Sequence, residues 1–175
     1  MRLRSMTLLL PAALCLAATA ACGGSDASAS DTGPIGARQI KGVDYCKLLS
    51  QDAIAEALGV KKVALQSGDA TDDCDWKIPV DGEADGALQM GSYYQPQGGD
   101  GMITVGGLQA NRQILQTGCQ IVVTGSGETD PAATSEGAVD AVRVWYLAQG
   151  VVDEEEECKA ASKLAEVVMR ALPEA

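Results

Sequence analysis

The chain has 175 residues, of which 24 are acidic and 13 basic, so its formal net charge is −11. It contains no histidine and no phenylalanine, and only 3% of it is aromatic. The acidity excludes a nucleic-acid-binding protein of the usual kind, because Lys and Arg supply most of the affinity for phosphates. Histidine is the commonest general base and metal ligand, so its absence argues against common catalysis and against metal binding. We therefore expect no nucleic-acid partner, no metal and no cofactor.

The first 21 residues have the pattern of a secretory signal peptide. Arg2 and Arg4 give a positive start, and residues 8–18 form an apolar core. This core is too short to span a membrane, which takes about 20 residues. Residues 1–21 are therefore predicted to be removed.

Cys22 follows Thr19-Ala20-Ala21 and precedes two glycines, which resembles a bacterial lipobox. Cys22 is then the first mature residue and carries acyl chains such as palmitate, enough of them for stable anchoring. The alternative is cleavage after Ala20, which gives a secreted protein with an odd thiol. We expect a lipoprotein at the extracytoplasmic face of the cell membrane.

Residues 22–41 are rich in Gly, Ser, Ala and Asp and are predicted to form a flexible tether. A coil of about 20 residues reaches about 25 Å. Residues 42–175 are predicted to form a single domain, because no repeat or second linker divides them.

Residues 43–59 are predicted to be helical in two consecutive parts. Asp44 opens a first turn, Ser50 caps a second helix, and Gly59 terminates it. Ile54, Ala57 and Leu58 lie at helical spacing, so one face of the second helix is expected to be buried.

The middle of the chain is strand-like, with strands expected over residues 74–80, 87–94, 103–105, 119–124 and 139–147. The strand at 103–105 has a possible continuation at 112–115. The intervening acidic residues 81–86 suit a hairpin loop, although their Asp-x-Glu-x-Asp-Gly order resembles half of a calcium loop. Residues 125–137 are expected to form a long polar loop.

A final helix is expected over residues 153–172, with four glutamates in its first turn and Pro173 after its end. The order of elements predicts an α+β fold, in which an antiparallel sheet carries an N-terminal and a C-terminal helix.

The four mature cysteines, Cys46, Cys74, Cys119 and Cys158, lack the C-x-x-C spacing of zinc sites. Two disulfides are the preferred reading, and three connectivities are possible. We favour Cys46–Cys74 with Cys119–Cys158, because each bond then ties a helix to the sheet.

The few aromatic residues are candidates for a ligand surface. Adjacent residues of a strand point to opposite faces, so one member of each pair should face outward. Packing of Trp76 against a disulfide, and half-burial of the others, are the competing interpretations. The candidates are Trp76, Tyr93, Tyr94, Trp145 and Tyr146.

Histidine-dependent catalysis is excluded by composition, and no phosphate-binding loop of the Walker type occurs. Paired carboxylates remain, but 24 acidic residues make their presence uninformative. We expect a protein that is not an enzyme.

Several short motifs occur together in a recognisable order. They are Asp44-x-Cys46-x-Leu48-Leu49, Ala53-x-Ala55-x-Ala57-Leu58-Gly59, Cys74-x-Trp76, Cys119 and Cys158-x-x-Ala161-x-x-Leu164-Ala165. The chain thus resembles domain-of-unknown-function family 3558, small cell-envelope lipoproteins of actinobacteria. Tyr45 stands where that family often has proline. The resemblance implies a location and an architecture, and no reaction.

Three functions follow as hypotheses. The first is a lipid-anchored binding or interaction domain for an envelope protein or small ligand. The second is a carrier or accessory protein for apolar envelope molecules, which requires a cavity. The third is a carboxylate-based hydrolase, which requires two acids that converge in a cleft.

Overall fold

The structure is a computed structural model that describes residues 33–69, 73–79, 85–96, 101–125, 138–149 and 153–175. The predicted signal peptide, Cys22 and most of the loops at 81–86 and 125–137 lie outside these residues.

Two short helices follow each other near the start of the described chain. Helix α1 spans Tyr45–Leu48 and α2 spans Gln51–Leu58. The Asp44 carboxylate accepts a hydrogen bond from the Cys46 amide, and the Ser50 hydroxyl accepts one from the Ala53 amide. Gly59 ends α2 with a φ of 72°, a conformation that glycine adopts at little cost.

Seven antiparallel strands form one sheet in the order β1-β2-β3-β7-β6-β5-β4. Two meanders, β1 to β3 and β4 to β6, are joined by β7, which pairs with both β3 and β6. The strands are β1 Ala64–Asp69, β2 Asp73–Ile78, β3 Gly86–Pro96, β4 Met102–Val105, β5 Leu108–Leu115, β6 Gly118–Thr124 and β7 Ala138–Leu147.

Two features of the sheet differ from the sequence-based expectation. Strand β1 is not expected, because Ala-Leu-Gln-Ser-Gly-Asp has little β-branched or aromatic content. Strand β5 begins at Leu108 rather than near residue 112, because Gly106 and Gly107 adopt positive φ values of 57° and 91° and form a tight turn.

One face of the sheet forms the core with helix α3, Glu154–Ala171. Alternate residues of the central strands point to α3, and we call this side of the sheet the helix face. These residues are almost fully buried, and so are the residues on the side of α3 that packs on the sheet. The strand residues include Leu88, Met90, Ile121, Val123, Val142 and Val144, and the helix residues include Ala161, Leu164, Ala165 and Val168. Helix α2 packs on α3, and α1 contacts β2.

Two disulfides are present, Cys46–Cys74 and Cys119–Cys158, with Cα–Cα distances of 5.3 and 5.1 Å. The first ties α1 to β2 and the second ties α3 to β6. The expectation of an antiparallel sheet with helices and two disulfides is therefore confirmed, and the pairs are those that the sequence analysis favours.

Residues 33–41, which we call the N-terminal segment, are packed on the domain, so their assignment to a flexible tether is wrong. Ile35 and Ile40 belong to the core and are 5% and 4% exposed. The Ile35 amide donates to the Gly106 carbonyl, and the Arg38 amide donates to that of Gly125. Two buried isoleucines hold this segment in place despite its small neighbours.

Candidate functional site

The five aromatic candidates divide between the two faces of the sheet. Trp76 and Tyr146 point to the helix face and are 2% and 5% exposed, so they belong to the core rather than to an exposed ligand-binding surface. The burial of Trp76 agrees with the packing interpretation, and Trp76 lies two residues after Cys74 on the same face of β2. Tyr93 and Trp145 occupy the alternate positions and lie on the opposite face, which we call the second face. The side chain of Tyr94 lies outside the described residues.

Arg143 is the centre of a polar cluster on the second face. Its Nη2 lies 3.2 Å from both carboxylate oxygens of Asp73 and donates to Gln89 Oε1 at 2.6 Å. Its guanidinium carbon lies 5.1 Å from the centre of the Tyr93 ring, within cation–π range. The side chain is only 20% exposed, so these contacts compensate part of its desolvation. Its buried Nε has no hydrogen-bond partner among the described residues.

A second set of polar side chains crosses four strands beside this cluster. The registers of β3, β7, β6 and β5 place Gln89, Trp145, Gln120 and Gln113 next to one another, and we call these residues the amide row. Gln120 Nε2 donates to Gln113 Oε1 at 3.1 Å. Trp145 Nε1 donates to the Thr117 carbonyl at 3.0 Å, which fixes the position of the indole.

Exposure on the second face increases from the Arg143 cluster to the amide row. Val122 lies next to Arg143 in register and Asn111 lies beyond Val122, and they are 0% and 2% exposed. Gln113 is exposed, Trp145 and Gln120 are half-buried, and Leu115 at the adjacent strand end is 38% exposed. The amide row is therefore more accessible than the Arg143 cluster, which adjoins it on the same face.

A separate open cleft of about 360 Å³ lies between α2 and α3. Leu58 and Val60 contribute to its walls, and Tyr146 is also part of its lining. Burial, and to a smaller degree the charge of Glu157, raises the pKa of the Tyr146 phenol. The phenol is therefore neutral at physiological pH.

The two acids at this cleft already have partners. Glu157 Oε1 accepts a hydrogen bond from the Ala148 amide at 2.9 Å. A Glu156 carboxylate oxygen lies 3.6 Å from the Lys159 ammonium. The cleft thus offers an apolar lining and engaged carboxylates rather than two acids that face a common substrate position.

The described residues offer neither a metal site nor a membrane-spanning helix. Within those ranges, no three His, Cys, Asp or Glu side chains are grouped so that they could hold a metal ion. The four cysteines among the described residues all form disulfides. None of the described helices is long and apolar enough to cross a bilayer.

Sequence reasoning missed Arg143 and the three glutamines of the amide row. A signal for them exists, because Arg143 is two residues before Trp145 and must share its face. The glutamines belong to other strands, so only the strand order reveals that they are neighbours of Trp145.

Comparisons with protein-family models, with curated proteins and with solved structures give no match to this chain.

Proposed function

We propose that the mature protein is a lipid-anchored α+β binding domain of the cell envelope and a member of domain-of-unknown-function family 3558. Residues 1–21 are its signal peptide and Cys22 its lipidated residue, at the extracytoplasmic face of the membrane. The signal pattern, the lipobox-like Thr-Ala-Ala-Cys and the even number of mature cysteines support this assignment.

The second face of the sheet is the proposed binding surface. The observation that carries this proposal is the asymmetry of the sheet. Both disulfides and α3 lie on the helix face, whereas the second face presents Trp145, Tyr93 and a row of amides. Trp, Tyr and Arg are the residues that most often dominate binding energy at interfaces.

A carrier of apolar envelope molecules is the second candidate, and the cleft between α2 and α3 favours it. Its volume is near the lower end of the range for small-ligand sites, about 300–1,000 Å³. The adjoining core is closed, since Ile54, Leu164 and Val168 are 0% exposed. A long acyl chain would therefore need this core to open.

We propose a non-enzymatic role. Carboxylate-based hydrolysis needs one acid to protonate and a second to attack or activate water. The two acids at the cleft are held by the Ala148 amide and the Lys159 ammonium instead.

Photo-cross-linking in cells tests the choice of surface. A photoreactive residue is placed at Gln113 on the second face, at Lys159 beside the cleft, or at exposed Lys62 as the matched control. We expect a discrete cross-linked product from Gln113 alone. A lipid adduct from Lys159 would support the carrier instead, and equal products from Gln113 and Lys62 would refute the second face.

The same preparations test the anchor. Mass spectrometry of the mature N-terminus should give acylated Cys22. An unmodified chain that begins at Ala21 would contradict lipidation.

A further inference from the structure

The chemistry of the amide row goes beyond a general binding surface. It combines one half-buried indole with three primary amides in a line across four strands. Gln89 donates to Asp75 Oδ1 and accepts from Arg143, so Gln120 and Gln113 are the amides that offer groups to a ligand. We propose that the amide row is a binding site for an uncharged saccharide, with Trp145 as its stacking platform. This inference rests on the proposed function, because it names the ligand class of the second face.

Stacking is the first part of the argument. One side of a pyranose ring presents C–H bonds, which carry partial positive charge, and the face of an aromatic ring is negative. The hydrogen bond from Trp145 Nε1 to the Thr117 carbonyl holds the indole in one position, so little side-chain entropy is lost on binding.

Hydrogen-bonding capacity is the second part. Each sugar hydroxyl both donates and accepts, and a primary amide offers two donors and one carbonyl acceptor. In the bond between Gln120 and Gln113, one amide uses a donor and the other its acceptor. Gln120 Oε1 and the Gln113 amide group thus retain complementary capacity beside the indole.

Charge determines which class of saccharide fits. Arg143, the cation nearest the amide row, is engaged by the carboxylate of Asp73 and by Gln89 Oε1. On the same face, Lys77 pairs with Asp85. Among the described residues, these two cations of the second face are both paired, which favours a neutral saccharide over an anionic one.

The dimensions favour a short oligosaccharide over a single sugar. Four neighbouring strands are separated by three steps of about 4.8 Å, so the amide row is about 14 Å long. A row of this length is longer than one sugar ring, so several units of an oligosaccharide would contact it.

Binding to soluble oligosaccharides tests the inference with the full-length protein in detergent micelles. The probes are neutral hexasaccharides of glucose, mannose, galactose, arabinose and N-acetylglucosamine, with a sulfated oligosaccharide as the charged comparison. Trp76→Phe leaves Trp145 as the only tryptophan reporter, since Trp76 is buried in the core. At least one neutral probe should change its emission saturably.

The variants locate the site. Trp145→Ala should weaken binding at least tenfold, measured by calorimetry, and Gln120→Ala at least threefold. Lys62→Ala, on an exposed residue elsewhere, should leave the dissociation constant unchanged. Gln120→Ala keeps the test valid if removal of the indole unfolds the protein, because Gln120 is a partly exposed polar residue.

Three results would overturn the inference. The first is that no neutral probe changes the Trp145 emission saturably, and the second is that Gln120→Ala and the parent bind with equal affinity. The third is that the sulfated probe binds more tightly and in a salt-sensitive way. A protein or a second copy of this chain cross-linked at Gln113 would also reject the saccharide, while the proposed binding face would stand. Loss of cross-linking at Gln113 would instead remove the proposed function itself.

Discussion

Tyr45 shows how one residue joins the N-terminal segment to the helices. It is 1% exposed, and its hydroxyl donates a hydrogen bond to the Ile40 carbonyl at 3.0 Å. Burial, with a smaller effect of the Asp140 charge, raises the pKa of its phenol well above the ordinary value. The native state therefore holds this proton more tightly than the unfolded state does.

Alkaline pH should consequently destabilise the protein through Tyr45. The contribution is complete below the ordinary tyrosine pKa of about 10 and is lost as the pH rises above it, because only the unfolded state then releases the proton freely. Urea unfolding at pH 8 and above pH 10 should show a smaller decrease in Tyr45→Phe than in the parent. The variant itself should cost about 1 kcal/mol at pH 8.

Equal pH dependence in the parent and in Tyr45→Phe would contradict this prediction. Tyr146→Phe is a useful comparison, because burial also raises the pKa of the Tyr146 phenol.

Residue identity predicts the alternation of aromatic side chains but not the direction of each one. The pair Trp145 and Tyr146 must face opposite ways in a strand. Which one faces the core depends on the neighbours: Tyr146 lies opposite Cys119, whose disulfide leads to α3. That assignment needs the strand order, which is not a local property of the sequence.

Among the elements, those with strong end signals are the ones that the sequence predicts most closely. Asp44, Ser50 and Gly59 mark helix ends through hydrogen bonds and a positive φ, which are local effects. Strand β1 lacks such signals and exists because it pairs with β2. Its exposed Leu65 and its register shift fit an edge strand held by tertiary contacts.

The two disulfides should contribute unequally to stability. Each closes a loop, with sequence separations of 28 and 39 residues, and the chain-entropy model gives about 3.5 to 4 kcal/mol for either. Cys119 and Cys158 are each 1% exposed and lie where α3 meets the sheet, whereas Cys46 is only partly buried. The interface of α3 is therefore the more sensitive one.

Replacement of both cysteines of a pair by alanine tests this difference. We expect the variant without Cys119 and Cys158 to lose about 3–5 kcal/mol of unfolding free energy, and the variant without Cys46 and Cys74 to lose less. Urea titration of the oxidised proteins provides the measurement. A greater loss in the Cys46 and Cys74 variant would contradict the prediction, because both loop length and burial favour the Cys119–Cys158 bond.

For the whole molecule, the N-terminal segment links parts of the chain that are distant in sequence. Ile35 contacts the Gly106 turn, where a Cβ on Gly106 would meet its Cδ1 at 2.3 Å. Gln39 and Ala37 form backbone hydrogen bonds with Pro173 and Ala175. The N-terminal segment therefore connects the Gly106 turn to the C-terminal end of the chain.

Ile35→Ala should destabilise the whole domain by about 2–4 kcal/mol, because the side chain is buried and leaves a cavity. Leu65→Ala is the matched control, since Leu65 is 48% exposed and should change the unfolding free energy by less than about 0.5 kcal/mol. Chemical denaturation of the full chain gives both values. Equal effects of the two substitutions would mean that the N-terminal segment is not part of the cooperative unit.

The strand order has a consequence for how the protein acquires its structure. Strand β7 is the last strand in the sequence, yet it separates β3 from β6 in the sheet. During synthesis, the two partial sheets β1 to β3 and β4 to β6 therefore have unpaired edges until β7 is present, and α3 must follow before the helix face is covered. The sheet and its helix cover are therefore completed only when the last quarter of the chain, which contains β7 and α3, has been synthesised.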